Sequence, residues 1–248
     1  MQKTIFFDID RTLVENHGIQ MIFGELIEEL ANKTAQNSKN LLRALWDEND
    51  NRQKSDPDHI LTMDWNDMVQ KLALQYGVAL SQTVDVLWKT RLRTEHIEVL
   101  DNAPQILQQL KVLGYQLVIA TKGLSKYQVP VLELSGLLPY FDDILAPDIT
   151  GYLKTSPGFY QTYPDSIGLR IQVGDRYLDD VICPQRVGLK TILRAPIADL
   201  HHRTAFERRN LLTPYLEQIG GYPAEGSTVL PDAVIVSLSE IPAVLPEL

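Results

Sequence analysis

The chain has 248 residues, 44% of them hydrophobic and 22% charged, which is the composition of a folded globular protein and excludes wholesale disorder. Its formal net charge is −9, so a broad basic groove for DNA or RNA is not expected, and no apolar run approaches the ~20 residues of a bilayer span. The single cysteine, Cys183, rules out an internal disulfide framework and fits a reducing, cytoplasmic setting.

At roughly 150 residues per domain, the length suggests one large domain or two small ones. Residues 3–7 (KTIFF) read as a short strand that runs straight into Asp8, Asp10 and Thr12. Those early acids sit inside the first apolar stretch, a pattern unlike a secretory signal. From about Glu15 to Leu100 the apolar spacing turns helical; Ile19, Ile22, Phe23, Leu26, Ile27 and Leu30 form one stripe. Further helices are predicted over 38–49, 64–76 and 81–94, with the polar stretch 49–57 (NDNRQKSDP) as a loop. Trp46, Trp65 and Trp88 all fall in this segment, as bundle core or as the wall of a cleft.

Beyond Leu100 helix and strand alternate. A helix through Ala103, Ile106, Leu107, Leu110 and Leu113 stops at Gly114, and QLVIA (116–120) is a buried strand ending at Thr121. A helix over about 125–135 and a strand near 143–145 come next, then a helix opened by Ser156 and Pro157. RIQV (170–173) is a strand ending at Gly174 and Asp175, followed by a helix over 177–187 and the strand KTIL (190–193). Ala233–Val236 is the last strand, and Ser237 with Glu240 has capping-box spacing. The fold class is therefore α/β, a Rossmann-like parallel sheet with an inserted helical cap. Residues 1–14 and 100–248 make the α/β core, and residues 15–99 the cap.

Asp8, Asp10, Thr121 and Asp175 all lie just past strand C-termini, the edge where open α/β sheets bind ligands. Alternate residues of an extended chain share a face, so Asp8 and Asp10 would point together and repel unless a cation sits between them. Hard oxygen ligands suit Mg²⁺. Thr121, ahead of Lys122 and Gly123, offers a hydroxyl and loop amides to a phosphate. Lys154 precedes a helix start and could balance several oxyanions, and Asp175 adds a third strand-end carboxylate with Asp179 and Asp180 behind it. Singly, each has a plain structural explanation as turn residue, solvated lysine or first-turn acid. Their order and placement together do not.

This set resembles the haloacid dehalogenase-like (HAD) superfamily, phosphatase branch, with a helical cap inserted after the first motif. The motifs are Asp8-Ile9-Asp10-Arg11-Thr12, Thr121 with Lys122 and Gly123, Lys154 ahead of Ser156-Pro157, and Gly174-Asp175 through Asp180. Arg11 stands where glycine is common, Lys122 where asparagine is common and Thr155 where proline is common. The stretch 195–232 is long for such a core. The resemblance implies that Asp8 attacks phosphorus to form an aspartyl-phosphate and that Asp10 is the acid and base. It implies Mg²⁺ on the Asp8 side chain, the Asp10 carbonyl and Asp175. Thr121, Lys122 and Lys154 would hold the phosphate, with Asp180 and Asp179 supporting the metal from behind.

The expected substrate is a small phosphorylated metabolite, with no nucleic-acid or membrane partner; the oligomeric state is left open. The rival readings are a carbon–halogen hydrolase, a phosphomutase and a catalytically silent phosphate-binding protein. The five histidines lack zinc-site spacing, and His201, His202, Arg203, Arg208 and Arg209 read as a solvated basic helix face.

Overall fold

The chain begins with Lys3–Phe7 (β1), whose residues alternate between two apolar layers. Ile5 and Phe7 share one layer with Leu107, Leu110 and Val131, while Phe6 faces Phe159 and Tyr160 in the other. A strand buried on both faces belongs inside a parallel sheet. The computed structural model describes residues 3–55, 59–163, 168–219 and 229–248.

Two short strands, Val14–Asn16 (β2) and Ile97–Val99 (β3), pair antiparallel, Val14 opposite Val99 and Asn16 opposite Ile97. Their apolar and β-branched ends favour extended backbone, so the helical reading from Glu15 to Leu100 gives way to strand at both ends. Tyr115–Ala120 (β4), Asp143–Leu145 (β5), Arg170–Gly174 (β6), Lys190–Arg194 (β7) and Ala233–Ile235 (β8) join β1 in a six-stranded sheet of order β5-β4-β1-β6-β7-β8. All five pairings are parallel. Strand order therefore runs outward from β1 in both directions, which opens a crevice at its C-terminal end.

Between the two ribbon strands lie Gly18–Thr34 (α1), Ser38–Ser55 (α2), Trp65–Gln75 (α3) and Val84–Arg91 (α4). The α1 stripe is buried as spaced: Ile22, Phe23, Leu26, Ile27 and Leu30. The predicted loop 49–57 is helical through Ser55 instead. Arg52 explains this: its guanidinium reaches Glu48 one turn back and Asp67 on α3, both at 2.7 Å, so polar residues here decorate a helix face. Residues 56–57 of that stretch lie outside the described residues. Asp64 caps α3 by accepting from Asn66 and Asp67, and Thr83 caps α4 through Val86.

Ala103–Val112 (α5) and Ser125–Leu134 (α6) flank the sheet. The α4–α6 contact is specific. Trp88 Nε1 donates to the Tyr127 carbonyl at 3.0 Å, and the Tyr127 hydroxyl donates to Asp85 at 2.8 Å. The Lys126 ammonium bridges Asp64 and Asp85, each at 3.0 Å.

Three expectations are corrected. The helix over 177–187 opens as a π turn, Leu178–Ile182, in which Cys183 N–H bonds the Leu178 carbonyl five residues back. Pro184 has no N–H to continue the ordinary ladder, and π turns of this kind gather at functional sites. Arg208 is not part of a solvated face: it is buried, ion-paired with Glu240, and donates to the Leu200 carbonyl at 2.8 Å. That pair takes Glu240 from the expected capping box, leaving Ser237 to accept from Ser239 alone. Ser156 and Pro157 do open the short helix Pro157–Gln161 as expected, with Ser156 at the N-cap position but without a side-chain hydrogen bond. Residues 220–228 of the long stretch 195–232 lie outside the described residues. Among the described residues no helix is long and apolar enough to cross a membrane.

Candidate active site

Asp8 leaves β1 with its N–H bonded to the Val173 carbonyl of β6 at 2.9 Å, so the end of one strand is pinned to the next. Behind it, Leu13 and Val14 both donate to the Ile9 carbonyl, a tight loop that places Arg11 at φ 61°. This left-handed backbone favours glycine, and the arginine is held there by its neighbours: Arg194 donates to the Arg11 carbonyl at 2.9 Å. The Arg11 guanidinium reaches back to Asp175 at 3.5 Å.

One carboxylate oxygen each from Asp8, Asp175 and Asp180 lies within 4.8 Å of the other two, and all three residues are buried. Lys154 is 1% exposed and spans the group, with Nζ 2.7 Å from both Asp8 and Asp180. Burial pushes the Asp8 carboxyl well above its ordinary pKa; Lys154 opposes that, but Asp180 and Asp175 add to it. Asp175 is pushed up to about 7 by burial and by Asp180. Burial works against the Lys154 ammonium too, yet Asp180 and Asp8 outweigh it and raise its pKa well above normal.

The Asp10 side chain does not join this group, contrary to the expectation that it and Asp8 converge. Its Oδ2 accepts from Gln128 Nε2 of α6 at 3.0 Å, and its Oδ1 has no hydrogen-bond partner among the described residues. Burial raises its pKa, with only partial relief from Gln128. Asp179 and Asp180 also separate. Asp179 pairs with Arg176 at 2.7 Å and Lys122 at 3.5 Å, and those cations hold it ionised below the ordinary range despite its burial. Asp180 stands with Asp8 and Asp175 directly, rather than behind them. Thr121 is buried, and its Oγ1 accepts from Gly123 N–H at 3.2 Å.

Three supports of the site escape a reading of the sequence. Gln128 orients Asp10. Gln172 donates to Asp180 at 2.9 Å while accepting from Tyr160 at 3.1 Å, and a polar residue between Ile171 and Val173 of a buried strand was its available signal. Gly174 is the third: a Cβ there would overlap the Asp180 carboxylate. Gly174→Ala should displace Asp180 and cost about 1–3 kcal/mol by overpacking, read from urea denaturation. An unchanged midpoint would show that Asp180 is free to move.

These groups open into a cleft of about 410 Å³. Asp8, Asp10, Thr121, Lys122 and Asp175 line it from the sheet edge, and Trp46, Asn49, Asp50 and Trp65 from the helices. Trp88 is core, 4% exposed, while Trp46 is 40% exposed.

Comparison with known proteins places this arrangement. A sequence model of the haloacid dehalogenase-like hydrolases matches residues 2–169. The glyceraldehyde 3-phosphate phosphatase of Pyrococcus abyssi is 23% identical over 214 residues, covering 77% of this chain and 81% of that one. The crystal structure of the HAD phosphatase from Thermococcus onnurineus superposes with a TM-score of 0.71 at 23% identity over 98% of both chains. The L-2-haloacid dehalogenase of Xanthobacter autotrophicus does so at 0.62 and 14% over 99% of both. At such identities the structures establish the fold alone, in which phosphatases and dehalogenases both occur. The family match spans the first aspartate loop, the threonine turn and the lysine, so this chain belongs to the haloacid dehalogenase-like hydrolases.

Proposed function

We propose that the protein is a Mg²⁺-dependent phosphatase that hydrolyses a small phosphorylated metabolite through an aspartyl-phosphate on Asp8. The observation that carries this reading is the buried group of Asp8, Asp175 and Asp180, three carboxylates against the buried Lys154 and the exposed Arg11. Such a site suits a small divalent cation held by oxygen donors. Asp8, Asp175 and the Asp10 carbonyl would hold Mg²⁺, with Asp180 alongside. When bound, it supplies two positive charges against the carboxylates and the incoming phosphate.

An Asp8 oxygen bonds to phosphorus as the ester P–O bond breaks, and the electron pair leaves on the alcohol oxygen. That oxygen takes its proton from Asp10, whose raised pKa favours the protonated form. Water then attacks phosphorus, its proton passes to Asp10, and the bond to Asp8 breaks to release inorganic phosphate. Lys154 has a third N–H beyond the two that face Asp8 and Asp180, and this one, with Thr121 and Lys122, orients the phosphoryl oxygens. Residues 15–99 act as the cap over the core of 1–14 and 100–248. A cytoplasmic setting is part of the same reading, supported by the buried free thiol of Cys183.

A carbon–halogen hydrolase would use Asp8 but need neither the second aspartate nor a metal. Chelation with EDTA should therefore abolish release of phosphate from p-nitrophenyl phosphate, and Mg²⁺ should restore it, with Ca²⁺ a poor substitute. Asp10→Asn should lower kcat/KM by about 10²–10⁴-fold. Full-rate turnover in chelated enzyme, or halide release from 2-chloropropionate, would overturn the phosphatase reading.

A further inference from the structure

The catalytic cleft has two walls of opposite character. Every cation among its described lining residues comes from the sheet side: Arg11, Lys122 and Arg176. The facing wall carries Trp46 and Trp65, with rings 5.3 Å apart at 82°, and Asn49 and Asp50 one turn beyond Trp46 on α2. Phe23 backs both indoles, 6.0 Å from Trp46 and 5.1 Å from Trp65, so their edges are fixed from behind. An exposed tryptophan packed on one side is a surface prepared for a flat partner on the other.

That apolar surface does not end at the cleft. Ile19 and Trp46 also line a groove of about 240 Å³ between α1 and α2, whose other walls include Phe23, Ile27 and Leu42, with the opposite charges of Glu28 and Lys39 among them. A group reaching past Trp46 from the phosphate site thus meets further apolar surface on Phe23, Ile27 and Leu42. Among the described residues lining the cleft, this wall offers no cation, and Asp50 gives it one negative charge. Against this wall of the cleft, a leaving group with a carboxylate or a second phosphate would meet Asp50 and no described cation.

We propose that the substrate is a phosphate monoester whose alcohol carries an uncharged, flat aromatic ring, seated on Trp46 and Trp65. This rests on the phosphatase reading of the same site. It sets the chain apart from an enzyme for a short polar phosphate such as glyceraldehyde 3-phosphate, the substrate named for its P. abyssi relative. Trp46 and Trp65 act as specificity-determining residues, and Asp50 acts against anionic leaving groups.

Primary alkyl phosphates test this cleanly, because ethyl and 2-phenylethyl phosphate leave as alcohols of similar basicity and differ chiefly in the ring. The wild-type enzyme with Mg²⁺ should favour 2-phenylethyl phosphate by about tenfold or more in kcat/KM. Trp46→Ala and Trp65→Ala should each lower that ratio by about threefold or more. Both esters are read on one preparation, so a loss of folded enzyme cancels. Asp50→Lys should raise kcat/KM for 2-phosphoglycolate relative to ethyl phosphate by about threefold or more. Hydrolysis of ethyl phosphate at a rate equal to that of the phenyl ester would overturn the substrate class and leave the phosphatase standing. No Mg²⁺-dependent phosphate release from either ester would overturn both.

Discussion

Asp8→Asn should remove turnover and leave the fold at least as stable as before. The amide has no oxygen able to carry a phosphoryl group, and loss of a catalytic nucleophile in other hydrolases costs up to about 10⁶-fold in kcat. The stability half of the expectation comes from the site's electrostatics. Burial, Asp180 and Asp175 raise the Asp8 carboxyl well above its ordinary range against the pull of Lys154. A group whose pKa is raised by folding contributes stability below its unfolded pKa and loses it as the pH climbs through the folded value. The amide carbonyl of the substituted side chain would still accept from Lys154 without that charge. In EDTA, the thermal midpoint of Asp8→Asn should therefore exceed that of the wild type, and the gap should widen from about pH 5 to about pH 8. Substantial Mg²⁺-dependent activity in the variant would remove Asp8 as nucleophile, and a lower midpoint at the alkaline end would refute the charge argument.

Lys154→Met should be the most damaging single change in the molecule. Methionine fills a similar volume but leaves Asp8 and Asp180 buried with no ammonium between them. Breaking a buried ion pair by removing one partner costs about 3–5 kcal/mol, much of it the penalty of the stranded charge. Activity should vanish even at saturating Mg²⁺, because the third N–H on Nζ is lost to the phosphate. Added Mg²⁺ should recover part of the urea midpoint, since a divalent cation among the same oxygens relieves the same repulsion. A wild-type midpoint in EDTA would mean that Lys154 does not hold the carboxylates, and unchanged kinetics would remove it from phosphate binding.

The sheet and its functional edge were legible because each depends on local signals. KTIFF, QLVIA and RIQV are apolar runs too short for helices; Asp8 and Thr121 close the first two, and Gly174 with Asp175 closes the third. Parallel pairing then carries Asp8, Thr121 and Asp175 to one edge whatever the details between. What escaped the sequence depends on partners distant along it. Arg52 turns a loop-like polar stretch into helix through Asp67, and Arg208 is drawn inward by Glu240, 32 residues away. The split of Asp179 from Asp180 follows from a π turn and from two cations, Lys122 and Arg176, that no spacing rule places. The Asp8 and Asp10 carboxylates were expected to point together; Gln128, 118 residues on, donates to the Asp10 carboxylate instead.

The pairing of β2 with β3 has a consequence for how this chain can be altered. Val14 and Val99 are ladder partners, so the backbone departs toward α1 and comes back after α4 at adjoining points. For the six-stranded sheet, everything between them is a closed excursion whose ends are already tied. The entropy of closing such an excursion grows only with the logarithm of its length, about 0.6 kcal/mol for each doubling. Selection can therefore exchange, lengthen or trim the intervening helices at small thermodynamic cost. The sheet's register, and with it the spacing of Asp8, Thr121 and Asp175, stays indifferent to what is grafted in. One catalytic frame can in this way be refitted for new molecules by replacing a single contiguous stretch of gene.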